Sequence, residues 1–124
     1  MSAELRGVVV AHGSVARALV EAAEEISGLR GALIAVSNSG LGREDLERRV
    51  MEAVDGRPTI VFVDLPSGSC LFAAIRRVSG HPDVKVVTGV NLVMLLEFLF
   101  HRGDPLEDTA RRAVESGTKG IGAR

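Results

Sequence analysis

The chain has 124 residues, a formal net charge of -1, 46% apolar residues and 25% charged residues. That length suits a single domain, residues 1–124, and the composition is that of a globular chain with a core to bury. The charge balance gives no basic surface for nucleic acid or an anionic membrane. A lone cysteine, Cys70, excludes an internal disulfide and a cysteine-based metal cluster. With no Trp, no Tyr and only four Phe, the chain is poor in the aromatic faces that a flavin or a stacked base requires.

In chain order, Met1 to Arg6 shows no signal-peptide pattern and leads directly into an apolar run. Leu5–Ala11 is the first of four short, apolar, β-branched runs, followed by Ala32–Val36, Thr59–Asp64 and Val84–Thr88. None alternates strictly, which fits strands covered on both faces of a parallel sheet. Helical stripes lie between them. Ser14 is placed to cap the first helix, with Val15, Ala18, Leu19, Ala22 and Ile26 on its apolar face. Leu46, Val50, Ala53 and Val54 line the second helix, and Leu71, Ala74, Ile75 and Val78 the third. The fourth, Asn91–His101 with Asn91 as its cap, carries only Glu97 as a charge before its last turn. Such a helix belongs in a core or against another subunit. A fifth, Pro105–Ser116, is expected to stop at Gly117, and Lys119–Gly122 is expected as a short, weak antiparallel strand.

This alternation predicts an α/β fold: an open three-layer sandwich with a central, mainly parallel four-stranded sheet in the order 2-1-3-4. The longest apolar stretch, Leu92–Phe100, is too short to cross a bilayer. A cytoplasmic location follows, with membranes met only indirectly through partners.

Ligands bind such sheets outside the carboxyl ends of the strands, where the strand order reverses. Here the reversal lies between strands one and three. Strand one ends in Ala11-His12-Gly13-Ser14, and strand three in Asp64-Leu65-Pro66-Ser67-Gly68-Ser69. His12 and Asp64 should therefore meet. A carboxylate that accepts the Nδ1 hydrogen fixes the tautomer, leaves the lone pair on Nε2 and stabilises the cationic ring formed when Nε2 takes an electrophile. Gly13, Ser14, Gly68 and Ser69 stand at two helix N-termini, a natural seat for a phosphoryl group. These parts describe phosphoryl transfer onto His12, with Asp64 as its partner, no metal and no cofactor. Plainer roles exist for each residue: His12 as a turn residue, Asp64 as a cap, Ser67-Gly68-Ser69 as a turn, His81 in a surface turn, and His101 at a helix C-terminus. Cys70 and Arg76 have the C-x5-R spacing of cysteine phosphatases, but the residues between them are apolar, lack Gly and match a helix face. Cys70 therefore reads as a small buried residue.

At these residues the sequence resembles the enzyme IIA component of the mannose-family (mannose/fructose/sorbose) phosphoenolpyruvate-dependent sugar phosphotransferase system. The resemblance runs through Val8–Gly13, Asp64-Leu65 with Ser67-Gly68-Ser69, Val87–Leu92 with Met94–Glu97, and Ala113–Ile121. It implies that His12 is the phosphorylated histidine, Asp64 the residue orienting its ring, and Ser69 the serine beside the phosphoryl group. It implies the histidine phosphocarrier protein as donor, a separate enzyme IIB as acceptor, and a homodimer that can exchange a C-terminal strand. Four positions, in three places, depart from the family pattern. Cys70 stands where the family has Pro, Pro66-Ser67 where it has Gly or an aromatic, and Val93 where it has Pro. These departures bear on loop shape, and through it on partner and sugar. Three alternatives stand beside this reading: a regulatory IIA-like protein, the phosphocarrier subunit of dihydroxyacetone kinase, and a small-ligand binding module. A receiver domain would need an acidic pair that is missing after strand one.

Overall fold

The computed structural model describes residues 4–78 and 80–124, so the first three residues of the Met1–Arg6 segment lie outside the described residues. Four strands, β1 (Arg6–Ala11), β2 (Leu33–Ser37), β3 (Thr59–Val63) and β4 (Val84–Thr88), alternate with helices α1 (Val15–Ser27), α2 (Arg43–Val54), α3 (Ser69–Val78) and α4 (Leu92–Phe100). A fifth helix, α5 (Leu106–Lys119), closes the chain. The strands form one sheet in the order β2-β1-β3-β4, all neighbours parallel, as the alternation predicts.

Alternate side chains of each strand face opposite sides of the sheet. Val8, Val10, Val61 and Val63 pack under α2 and α3, while Val9, Ala11, Ile60 and Phe62 pack under α1, α4 and α5. Both faces of the central strands are thus dry, which explains their unbroken apolar runs. Each of the fully buried Val, Ile and Phe side chains contributes roughly 1.5–3 kcal/mol. Phe62 and Phe98 meet edge to face, with centroids 5.5 Å apart and planes at 78°. Gly7 lies beneath this layer because a Cβ there would stand 2.6 Å from Leu33 Cδ2 and 2.9 Å from Phe98 Cε2.

Several expectations are corrected. The inner face of α1 is Ala16, Val20 and Ala23, whereas Val15 and Ile26 are exposed. A helix lying flat on a sheet turns small residues inward to approach closely; of the expected stripe, Leu19 packs against the core and Ala22 is half-buried, while Val15, Ala18 and Ile26 stay outside. In α3, Cys70, Ala73, Ala74 and Val78 are buried and Ile75 is exposed. Ser14 occupies the N-cap position of α1 without a side-chain capping bond. Asn91 does cap α4, accepting from the Met94 N–H at 3.0 Å. Gly117 does not end α5 but is buried within it, where a Cβ would stand 2.5 Å from Met94 Cγ. Its purpose is close contact between α4 and α5. Because α5 runs on to Lys119, the strand expected over Lys119–Gly122 does not form: the Gly120 N–H closes the helix on Ser116 C=O, and Ile121 is exposed.

Candidate functional site

The site lies where the topology places it, at the carboxyl ends of β1 and β3. His12 directly follows β1 and Asp64 directly follows β3, two strands paired in register through Val10 and Val63. The Asp64 N–H donates to Val10 C=O at 3.3 Å, which carries the pairing one residue beyond the strand and turns the carboxylate toward His12. Asp64 Oδ2 then stands 2.8 Å from His12 Nδ1 and accepts the His12 backbone N–H at 2.9 Å. Asp64 Oδ1 accepts the Leu65 N–H at 3.0 Å. Burial works against the Asp64 charge, but the His12 backbone N–H, its ring and the Leu65 N–H together hold the carboxyl below its ordinary value of 3.8. Asp64 is therefore ionised at neutral pH and disposed to accept from Nδ1–H. That leaves the lone pair on Nε2 of a ring whose side chain is 41% exposed.

Two turns frame the ring. Gly13 has φ +60° and Gly68 φ +94°, left-handed conformations that glycine adopts without strain. A Cβ on Gly68 would stand 4.0 Å from His12 Cε1, the ring carbon between the two nitrogens, so this turn runs beside the reactive edge. Ser69 opens α3, and the Phe72 N–H begins its hydrogen-bond ladder on Gly68 C=O at 3.1 Å. The amides of Gly68 and Ser69 precede that ladder and have no acceptor among the described residues. Gly13 differs: its N–H already donates to Asn38 Oδ1 at 3.1 Å, and its C=O accepts the Ser37 hydroxyl at 2.7 Å. Ser37 and Asn38 were not singled out from the sequence. The signal was available, because β2 lies beside β1 and its carboxyl end must reach the Gly13 turn.

Cys70 is fully buried in the second position of α3, with Sγ 3.8 Å from His12 Nδ1. Burial, and next to it the Asp64 charge, pushes the thiol up to about 11. A thiol in that state is a poor nucleophile. The phosphatase spacing is not realised either. Leu71–Ile75 are helical, and Arg76 pairs with Glu47, Nε to Oε1 at 3.4 Å. Within the site, the residues suited to hold a metal are His12, Asp64 and Cys70, whose donor atoms all lie within 4.8 Å of one another.

The remaining candidates are structural. Asn91 caps α4 and its Nδ2 donates to Gly117 C=O at 3.2 Å, joining α4 to α5. His81 sits in an exposed turn, donating its N–H to Val78 C=O at 2.9 Å. His101, just past α4, lies 3.4 Å from carboxylate oxygens of both Glu97 and Asp104. Among the described residues no helix is long and apolar enough to cross a membrane.

Several solved structures share the fold. Three of them are the phosphotransferase system component EIIA from Streptococcus agalactiae (TM-score 0.88, 22% identity, 96% of each chain covered), the mannose/sorbose-specific IIA subunit of the phosphotransferase system from Enterococcus faecalis (0.86, 19%, 98% of this chain and 96% of that one), and the PTS IIA protein associated with the fucose utilization operon of Streptococcus pneumoniae (0.85, 23%, 98% and 94%). No curated protein matches the chain significantly in sequence. The family model described as the PTS system fructose IIA component, EIIA-man, matches residues 7–115, a span that includes His12, Asp64 and both glycine turns. With most of its length accounted for in this way, the chain belongs to the EIIA-man family of phosphotransferase-system IIA components.

Proposed function

We propose that the protein is a phosphohistidine carrier, in which His12 Nε2 accepts a phosphoryl group from the histidine phosphocarrier protein and passes it to a separate enzyme IIB. The observation that carries this reading is the 2.8 Å contact between His12 Nδ1 and Asp64 Oδ2. With Nδ1–H donated to the carboxylate, Nε2 attacks phosphorus in line. The N–P bond forms as the bond to the donor's histidine breaks, and Asp64 stabilises the cationic ring. The second transfer runs the same step outward to enzyme IIB. The negative oxygens need donors that are already in place. The Gly68 and Ser69 amides, with the Ser14 and Ser69 hydroxyls, fill that role. The left-handed turn at Gly13, held by Asn38 and Ser37, keeps the approach to the ring clear.

The carrier works in the cytoplasm as one domain over residues 1–124 and meets a membrane only through transporter subunits. It assembles as a homodimer, the commonest closed oligomer. Support comes from the two sheet edges, β2 and β4, and from exposed apolar side chains at Val93, Phe100, Val114 and Ile121. Light scattering at micromolar concentration should report twice the chain mass; the mass of a single chain rejects the dimer.

The decisive experiment is incubation with phosphoenolpyruvate, enzyme I and the histidine phosphocarrier protein. The label should be stable in base, labile in acid and absent from His12→Ala. Label that persists in that variant, or that resists acid as a serine ester does, rejects the reading.

A further inference from the structure

We propose that His12, Asp64 and Cys70 form a binding site for a thiophilic divalent cation, with zinc the best fit, and that the bound cation and a phosphoryl group on His12 exclude one another. The donor set is an imidazole nitrogen, a carboxylate oxygen and a thiol sulfur, all within 4.8 Å of one another. Tetrahedral zinc, with bonds of about 2.0–2.3 Å, spaces such atoms roughly 3.3–3.6 Å apart. Here Nδ1 is 2.8 Å from Asp64 Oδ2 and 3.8 Å from Cys70 Sγ. The two separations lie on either side of that range, so small shifts of both the Asp64 and the Cys70 side chains close the three donors on a cation.

The ligands also come from three rigid places: the end of β1, the end of β3 and the first turn of α3. Asp64 is already oriented by the His12 and Leu65 N–H groups, the outer support that metal-bound carboxylates use. Three protein donors leave a fourth tetrahedral position for water, and solvent reaches the site from the side of the His12 ring, 41% exposed, since Asp64 is only 14% exposed and Cys70 is buried. A hard cation such as magnesium or calcium would find too few oxygens, whereas sulfur and imidazole favour zinc or cobalt.

The exclusion follows from the proton on the ring. Without a cation, Nδ1 carries the hydrogen and Nε2 the lone pair. A cation at Nδ1 takes the lone pair there, so the ring hydrogen moves through solvent to Nε2. The Cys70 thiol gives its proton to solvent as the sulfur–metal bond forms, and the Asp64 carboxylate is already ionised. A net one proton leaves per cation bound. Nε2–H then has no lone pair for phosphorus. In the reverse direction, a ring phosphorylated on Nε2 keeps its hydrogen on Nδ1, donated to Asp64, and offers the cation nothing. Linkage requires each ligand to weaken the other equally. The cation site stands independently of the phosphocarrier reading; the mutual exclusion rests on it.

Cobalt titration of the whole, unphosphorylated protein tests the site. A thiolate-to-cobalt charge-transfer band should appear in the near ultraviolet, saturate at one equivalent per chain and be displaced by zinc. Cys70→Ser should abolish the band and weaken zinc binding at least about tenfold, since even outer partners of a metal act on that scale. Circular dichroism should show the variant folded; if it is not, Asp64→Asn, which keeps the thiol, should weaken cobalt binding to the same degree. No band at saturating cobalt, or a band that survives Cys70→Ser, overturns the site. For the exclusion, each protein's labelling rate with zinc is compared with its own rate without it. Zinc should slow the wild type and spare Cys70→Ser. Equal slowing of both overturns the exclusion, whereas absence of any label without zinc refutes the phosphocarrier reading and leaves the cobalt result standing.

Discussion

The two ends of the sheet are held together by different means. At the amino end, main chain bonds main chain. The Leu5 N–H donates to Arg102 C=O, the Arg6 N–H to Pro58 C=O, the Gly7 N–H to Ala32 C=O and the Thr59 N–H to Asp83 C=O, each at 2.9 Å. Arg6 and Arg102 add guanidinium bonds to the carbonyls of Ala53 and Leu5, each at 2.8 Å. At the carboxyl end main-chain bonds continue, from the Asp64 N–H to Val10 C=O and from the Val90 N–H to Val63 C=O, but side chains add the grip on the site: Asp64 holds His12, Asn38 holds the Gly13 N–H, and Ser37 holds the Gly13 carbonyl. Main-chain bonds tolerate most residue types. Side-chain bonds do not, so substitutions at one end should cost stability and at the other chemistry.

The largest expected effect is at His12. His12→Ala should abolish phosphoryl transfer while its denaturant midpoint stays close to wild type, because the ring is half-exposed and packs no core. Next, Asp64→Asn should slow transfer at least about tenfold, as carboxylates that orient a catalytic imidazole do, with circular dichroism unchanged. Wild-type rapid-quench kinetics in this variant would mean that the carboxylate does not set the tautomer. Gly68→Val should also block labelling, through strain at φ +94° and because its branched methyls would extend beyond a Cβ that already touches His12 Cε1 at 4.0 Å.

Two further tests concern stability. The Cys70 thiol is raised from 9.0 to about 11 in the folded protein. The folded state therefore holds its proton after the unfolded chain has lost it, and stability falls as pH rises from 9 through 11. The loss is on the order of 2–3 kcal/mol, and urea unfolding of Cys70→Ala should lack it. Asp64 acts with the opposite sign: its stabilisation is full above its ordinary value of 3.8 and is lost as pH falls through its lower folded value. Smallest, Gly7→Ala should cost about 1–3 kcal/mol by overpacking against Leu33 and Phe98, with the labelling rate unchanged. A slowed rate there would show that the two ends of the sheet are not separable.

The strand order and the meeting of His12 with Asp64 were legible because both follow from topology. Four apolar runs joined by right-handed crossovers leave one reversal point, and two polar residues end the strands that flank it. The face of α1 was not legible. Val15, Ala18, Leu19, Ala22 and Ile26 make the more hydrophobic stripe, but Ala16, Val20 and Ala23 make the closer-packing one, and periodicity weighs hydrophobicity rather than distance of approach. Gly117 misled for the same reason: it reads as a helix stop, yet it is small because Met94 lies against it. Cys70 read correctly as buried, but nothing in a sequence says which side chain a buried sulfur touches. The strand order placed the end of β2 beside the Gly13 turn, but not that the Asn38 side chain, 25 residues from Gly13, would bond that turn.

One oxygen, Asp64 Oδ2, is shared by the ring and the backbone amide of the same histidine. When the ring gains positive charge, it draws on that oxygen's electron density, and the amide must feel the change. The His12 amide resonance therefore works as a built-in reporter. In a nitrogen–proton correlation spectrum, this single peak should shift when the ring is protonated, phosphorylated or bound to a cation, without any probe attached. The carrier's loading state could then be followed in an intact mixture, turnover by turnover, from one backbone proton.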